Sequence, residues 1–238
     1  MSRLKYYNPQ IFKASGDCGD IIYALMYIKA LNAKKLFIDG SGGETYVRDG
    51  YICNVKTKFN TESAKFILPF VATQIDCDFW HGEPFDCHIN ESDINAGDIN
   101  ITKAHAIKFD LDWTILGDQW LFLNEAKEKR LVINRTNRYH GTNFGFYKKY
   151  IEEFDGPKVF LGLPDEFNEF SYKSKLDIPY IKTSNCLDLA KEVAKSTHFI
   201  GNGSLVNSLA IGFGLDIKYE FCSRAANYLF EKENFNIF

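Results

Sequence analysis

Apolar residues in this chain come in short blocks, and the period changes from block to block. Ile11-Phe12 is a brief apolar run, followed by the turn Ser15-Gly16-Asp17-Cys18-Gly19-Asp20. The turn opens into Ile21-Ile22-Tyr23-Ala24-Leu25-Met26-Tyr27-Ile28. This pattern predicts a strand, a glycine turn and a helix from about Asp20 to Asn32, with Ile21, Ala24, Leu25, Ile28 and Leu31 on one face. Leu36-Phe37-Ile38-Asp39 predicts a second strand, ended by Gly40-Ser41-Gly42-Gly43. Between about residues 45 and 125 the pattern is less regular. Phe66-Ile67-Leu68 stops at Pro69, Thr73-Gln74-Ile75 is a candidate strand, and Asp93 to Asp98 has turn composition.

The polar stretch from Asn124 to Arg130 reads as a linker. Beyond it, strands and helices alternate. Strands are expected at Leu131 to Asn134, Lys158 to Gly162, Pro179 to Ile181, His198 to Gly201 and Ile217 to Tyr219. Helices are expected at Phe146 to Phe154, Asp165 to Phe170, Cys186 to Ser196 and Ser204 to Gly212. Such alternation implies a parallel sheet covered on both faces. The expected organisation is therefore two α/β units, 1–125 and 126–238, whose ligands bind at the carboxyl ends of the strands.

Composition narrows the class. A chain of 238 residues with 45% hydrophobic and 16% aromatic residues can fill a core. The formal charge of −3 argues against a generally basic nucleic-acid binder and leaves room only for a local basic cleft. No run approaches the roughly 18 apolar residues of a membrane span. The start, Met1-Ser2-Arg3-Leu4-Lys5, lacks an apolar signal region, so the expected location is cytoplasmic. The six cysteines form no CxxC pair and read as free thiols.

The glycine turns carry the candidate chemistry. Glycine lets backbone approach a ligand, and a helix start presents free N–H groups. Asp17 and Asp20, however, repel anions, so Ser15–Asp20 reads as a place for an acid or base. The later turn, Phe199-Ile200-Gly201-Asn202-Gly203-Ser204-Leu205-Val206-Asn207-Ser208-Leu209-Ala210, has no acid and suits a phosphate.

Gly19-Asp20 with its helix, and the turn from Phe199 to Ala210, resemble two motifs of the GT-B glycosyltransferases. The resemblance is to the ADP-heptose:lipopolysaccharide heptosyltransferase type, glycosyltransferase family 9, in compact form. It implies two Rossmann-like parallel-sheet domains facing across a cleft, the first for acceptor and the second for a nucleotide sugar. The family's Asp-Ser/Thr-Gly before the late helix stands here as Gly203-Ser204-Leu205, and Ser208 stands for its usual His. The implied activity is metal-independent, inverting transfer of a sugar from a nucleotide-diphosphate donor to an acceptor hydroxyl, with no cofactor. The resemblance makes Asp20 the base; Asp17 is the alternative, and a helix N-cap is the bland use of Asp20.

Arg135 and Arg138 follow the first strand of the second unit, where the resemblance places a phosphate-binding residue; a solvated basic loop is the other reading. Asn202, Gly203, Ser204 and Asn207 are candidates for the donor diphosphate, against an ordinary Ser cap. Gly162 and Leu163 are candidates to flank the nucleobase. Glu220 is a candidate acceptor for ribose hydroxyls, or an exposed ion-pair partner. On the acceptor side stand Gly16, Gly19, Trp80 and His81. Cys77, His81, Cys87 and His88 match no standard zinc spacing, and Asp110-Leu111-Asp112 reads as a solvated turn. The rival functions are a nucleotide-sugar 2-epimerase and a non-catalytic nucleotide-sugar-binding module. Nucleic acid enters only as an acceptor, beside a glycan or a protein.

Overall fold

The computed structural model describes residues 9–15, 17–41, 44–48, 51–55, 61–89, 106, 109, 111, 119–137, 139, 141, 144–222 and 234–238. Gly16, Arg138, the 93–98 turn and Asp110 and Asp112 lie outside these residues. Two compact units emerge, Met1–Gly117 with Asn185–Leu187, and Asp118–Ser184 with Asp188–Phe238.

The first unit runs β1 (Ile11–Ala14), α1 (Cys18–Ala30), β2 (Lys35–Ile38), β3 (Glu44–Arg48), β4 (Tyr51–Val55), α2 (Thr61–Val71), β5 (Cys77–Phe79) and β6 (Cys87–Ile89). Four strands form a parallel sheet in the order β5-β2-β1-β6, and β3 and β4 form a separate antiparallel pair. The chain moves from β1 to β2 to β5 in one direction and then returns to the far side of β1. That reversal creates a switch point between the carboxyl ends of β1 and β6, where α/β sheets bind ligands.

Helix α1 differs from the one-faced helix its periodicity suggested. Every residue from Asp20 to Ile28 is buried, while Leu31 is only half-buried. A helix apolar all round is one wrapped on all sides. Tyr23 and Tyr27 close the faces that a period-3.6 reading left open. The Thr73–Ile75 expectation fails as well. Helix α2 carries Pro69 near its end, and the chain leaves it through turns in which the Thr73 N–H bonds the Phe70 C=O and the Ile75 N–H bonds the Val71 C=O. Proline has no N–H to give to the carbonyl four residues back and its ring crowds that carbonyl, which disfavours continuing the helix. The adjacent strand is three residues of β5, too short for a periodic signal.

The second unit runs β7 (Glu128–Ile133), α3 (Phe144–Glu153), β8 (Lys158–Phe160), α4 (Pro164–Ser174), α5 (Cys186–Ala194), β9 (Ser196–Gly201), α6 (Leu205–Gly212), β10 (Asp216–Tyr219) and β11 (Phe235–Ile237). All five strands are parallel, in the order β11-β10-β9-β7-β8. Here the switch point lies between β7 and β9. Leu131, Ile133, Phe160 and Ile200 from the sheet pack against Tyr147 and Ile151 of α3 and Phe170 of α4. The expected strand at Pro179–Ile181 is reduced to one bridge, Tyr180 against Phe160. The polar stretch 124–130 is only partly a linker, because β7 begins at Glu128.

Candidate functional site

At the β1–β6 switch point, Ser15 directly follows β1 and shares a 2.9 Å hydrogen bond with Nε2 of His88 on β6. The next turn leads into α1. Asp17 stands at the N-cap position, and its C=O accepts the N–H groups of Asp20 at 2.9 Å and Ile21 at 3.2 Å. Asp20 is therefore not the cap. It is a buried carboxylate inside the first turn of α1, 7% exposed. The Cys18 thiol between the two acids is pushed up to about 12 by burial and then by the Asp17 and Asp20 charges, which removes it as a thiolate nucleophile at neutral pH.

The sequence reading missed Lys13. Its position in the middle of β1, between Phe12 and Ala14, places it on the sheet face opposite those two. There the buried ammonium pairs with Asp39 at 3.0 Å, lies 4.1 Å from the centre of the Trp80 ring and 5.1 Å from that of Phe85. Burial pushes the Asp39 carboxyl up, but the Ser41 hydrogen bond and Lys13 outweigh it and hold the carboxyl below its ordinary value. The segment from β5 to β6 thus crosses the sheet as a strap pinned over a cation. Trp80, expected to line an acceptor pocket, packs on Lys13 and donates its indole N–H to the Glu83 C=O at 2.8 Å. His81 is exposed, and its backbone N–H bonds the Glu83 carboxylate at 2.6 Å. The only hint in the sequence was a lysine inside an apolar strand.

At the β7–β9 switch point several of the sequence candidates come together. Arg135, at the end of β7, donates through Nε and Nη2 to Oε2 and Oε1 of Glu220, both at 2.9 Å. The guanidinium also lies 5.0 Å from the Phe144 ring centre and 5.6 Å from that of Tyr147. Glu220, at the end of β10, is 1% exposed and also accepts from the Gly141 N–H at 2.9 Å and the Tyr147 hydroxyl at 3.1 Å. Two residues expected to act separately, on phosphate and on ribose, are thus one buried ion pair. Burial and the Glu220 charge push the Tyr147 phenol well above its ordinary value, so it stays a donor.

Asn202, fully buried at the end of β9, faces the same loop. Its Oδ1 accepts the Thr136 N–H at 2.9 Å, and its Nδ2 donates to the Thr136 and Tyr139 C=O groups at 2.9 and 3.0 Å. Ser204 caps α6, its Oγ accepting the Asn207 N–H at 3.1 Å. Ser204→Ala should cost about 1 kcal/mol, as for other Ser caps, read as a drop in the denaturant midpoint at unchanged slope. Asn207 and Ser208 are buried behind the cap.

Beyond β8, Gly162 has φ 155°, and a Cβ there would lie 2.7 Å from both Asn134 Nδ2 and Glu166 Oε2. Only glycine fits this turn. Asn134 donates to the Leu161 C=O at 2.8 Å, while its buried Oδ1 has no hydrogen-bond partner among the described residues. Tyr180 donates to the Gly162 C=O at 3.1 Å and stacks on Phe167. Leu163 is exposed beside this platform.

Among the described residues, no three His, Cys, Asp or Glu side chains group as a metal site. Cys77 and Cys87 stand on opposite edges of the first sheet, with β2 and β1 between them, which separates the sulfurs of the candidate zinc cluster. No described helix is long and apolar enough to cross a membrane.

No protein-family model matches the chain, and no curated protein matches it. Solved structures do. The E. coli heptosyltransferase WaaC with ADP-2-deoxy-2-fluoro heptose aligns at TM-score 0.57 and 7% identity, over 95% of this chain and 92% of that one. The iron-containing dodecameric glycosyltransferase TibC of enterotoxigenic E. coli aligns at TM-score 0.57 and 8% identity, over 94% of this chain. This chain spans 61% of the length of TibC. A glycosyl transferase family 9 protein of Veillonella parvula aligns at TM-score 0.57 and 10% identity, over 90% of this chain and 82% of that one. The fold is therefore the α/β fold of the GT-B type, with two parallel sheets and alternating helices.

Proposed function

We propose that this chain is a glycosyltransferase that moves a sugar from a nucleotide-diphosphate donor to an acceptor hydroxyl, with inversion and without a metal. The observation that supports it most is fold correspondence with a heptosyltransferase over nearly the whole of both chains, with both glycine turns of this sequence falling at strand carboxyl ends. In the reaction, the acceptor oxygen bonds to the anomeric carbon, the bond from that carbon to the diphosphate breaks, and the acceptor proton passes to a base.

Asp20 is the proposed base in preference to Asp17, because the resemblance places the family's opening acid there and because it sits inside the first turn of α1 while Asp17 occupies the cap position. The leaving diphosphate is assigned to the backbone N–H groups of Gly203, Ser204 and Leu205 at the start of α6, with Arg138 as the cation of the adjoining loop. The nucleobase is assigned to the platform around Gly162 and Leu163. Cytoplasmic location belongs to the same proposal.

A thermal-shift screen of ADP- and UDP-sugars tests the reading, followed by turnover with and without acceptor. A donor at 100 times its dissociation constant stabilises the folded state by about 2.7 kcal/mol. Stabilisation followed by acceptor-dependent release of nucleoside diphosphate is the expected outcome. Epimerisation without acceptor, or binding with no turnover across a broad acceptor panel, would instead support the two rival functions. If no nucleotide sugar shifts the midpoint, the reading is wrong.

A further inference from the structure

The loop between β7 and α3 is held from three directions, and this changes what its first arginine does. From β9, Asn202 makes three hydrogen bonds to backbone groups of Thr136 and Tyr139. From β10, Glu220 accepts the Gly141 N–H and both donors of Arg135. From α3, the stacked rings of Phe144 and Tyr147 lie 5.0 and 5.6 Å from the guanidinium. Gly141 is forced to be glycine, since a Cβ there would lie 2.7 Å from the Phe221 C=O.

We infer that Asn202, Glu220 and Arg135 are positioning residues: they bracket the β7–α3 loop across the switch point and thereby set the donor-diphosphate site, while Arg135 itself does not contact phosphate. Three observations carry this. Arg135 is 5% exposed, and its Nε and Nη2 donors are directed at a carboxylate that cancels its charge. Asn202 uses its Oδ1 as acceptor and its Nδ2 for two donated bonds, so it is engaged with the loop and not with a ligand. Both residues come from strands that flank the loop's own strand or the next one along, so the bracket exists only at the switch point. The bonding also explains why asparagine stands here. An aspartate at 202 could not donate, and its charge would face the Thr136 and Tyr139 carbonyl oxygens.

The effect on donor binding rests on the glycosyl-transfer reading; the bracket itself does not. The test uses the full chain with ADP and UDP as probes, measured by calorimetry, together with amide hydrogen exchange. Asn202→Asp, which loses the two neutral bonds donated by Nδ2 and sets a charge against the Thr136 and Tyr139 carbonyls, and Glu220→Gln, which loses charged hydrogen bonds, are each expected to loosen the loop and speed exchange at Thr136 and Gly141 by about tenfold or more, relative to amides of β9 and β10. Both are expected to weaken binding of whichever nucleotide the wild type takes by a similar factor. The double variant Arg135→Gln with Glu220→Gln restores a neutral hydrogen-bonded pair and is expected to recover most of that affinity.

If the double variant binds more weakly than Glu220→Gln alone, Arg135 touches the diphosphate and the inference is overturned. Unchanged exchange at Thr136 and Gly141 in Asn202→Asp overturns it as well. Asn202→Asp leaves the buried ion pair intact, so it decides the matter even if Glu220→Gln fails to fold. A wild type that binds neither probe removes the glycosyl-transfer reading, while the exchange measurements still decide whether the loop is bracketed.

Discussion

Asp20→Asn is expected to lower sugar transfer by about 10²–10⁴-fold, the range for losing a positioned general base, while nucleoside diphosphate binding stays within about twofold by the same division of roles. The amide keeps the shape of the carboxylate and removes its ability to take a proton. It also removes a charge from the first turn of α1, at a stability cost of about 0.3–1 kcal/mol. That cost is too small to unfold a domain of ordinary stability, so loss of activity reads on chemistry. Steady-state kinetics with saturating acceptor separate the effects, because kcat falls and the donor KM does not. Full activity in Asp20→Asn would move the base to Asp17 or remove the assignment altogether. Asp17→Asn is the paired control, and it is expected to leave both transfer and stability nearly unchanged, since asparagine serves at a cap position as well as aspartate does.

Glu220→Gln is expected to cost about 3–5 kcal/mol of stability, because it leaves the Arg135 charge buried without its partner. In a unit of this size that corresponds to a fall in melting temperature of about 10–20 °C. The reason is burial: side-chain exposures in the pair are 6% and 1%. The double variant Arg135→Gln with Glu220→Gln should recover most of the loss, since removing both charges of a buried pair is often close to neutral. The Lys129–Asp155 pair is the contrast. It has similar chemistry at 3.3 Å but is largely exposed, and Asp155→Ala should leave the melting curve unchanged. Calorimetric scans of these three variants check both statements. Equal effects at Glu220 and Asp155 would contradict the role given to burial.

Much of the fold was legible because its signals are local. The apolar blocks at Leu131–Ile133, His198–Ile200 and Ile217–Tyr219 lie in strands, and Ser204 does cap the helix that follows it. The signal failed where elements were short or buried all round. Strands β5, β6 and β11 have three residues each, less than two periods of a strand. Helix α1 hides on every side, so its periodicity understated its burial. Glu220 and Arg135 were each recognised as notable, yet their pairing joins residues 85 positions apart. No spacing rule reports a contact at that separation.

The order of residues alone determined the α/β alternation, the two glycine turns, the acids in the first and the Ser-capped helix after the second. These depend on groups within a few positions of one another, where propensity and capping act. Strand order, and with it the location of both switch points, was decided only by tertiary structure. So were the cage around Lys13, the place of Asp20 inside the helix rather than at its cap, and the buried pairing of Arg135 with Glu220. Each of these turns on whether a charged group ends up in water or buried against a partner. That is settled by which distant strands lie side by side, because the cost of burying a charge is offset only by a partner that the fold brings within hydrogen-bonding distance.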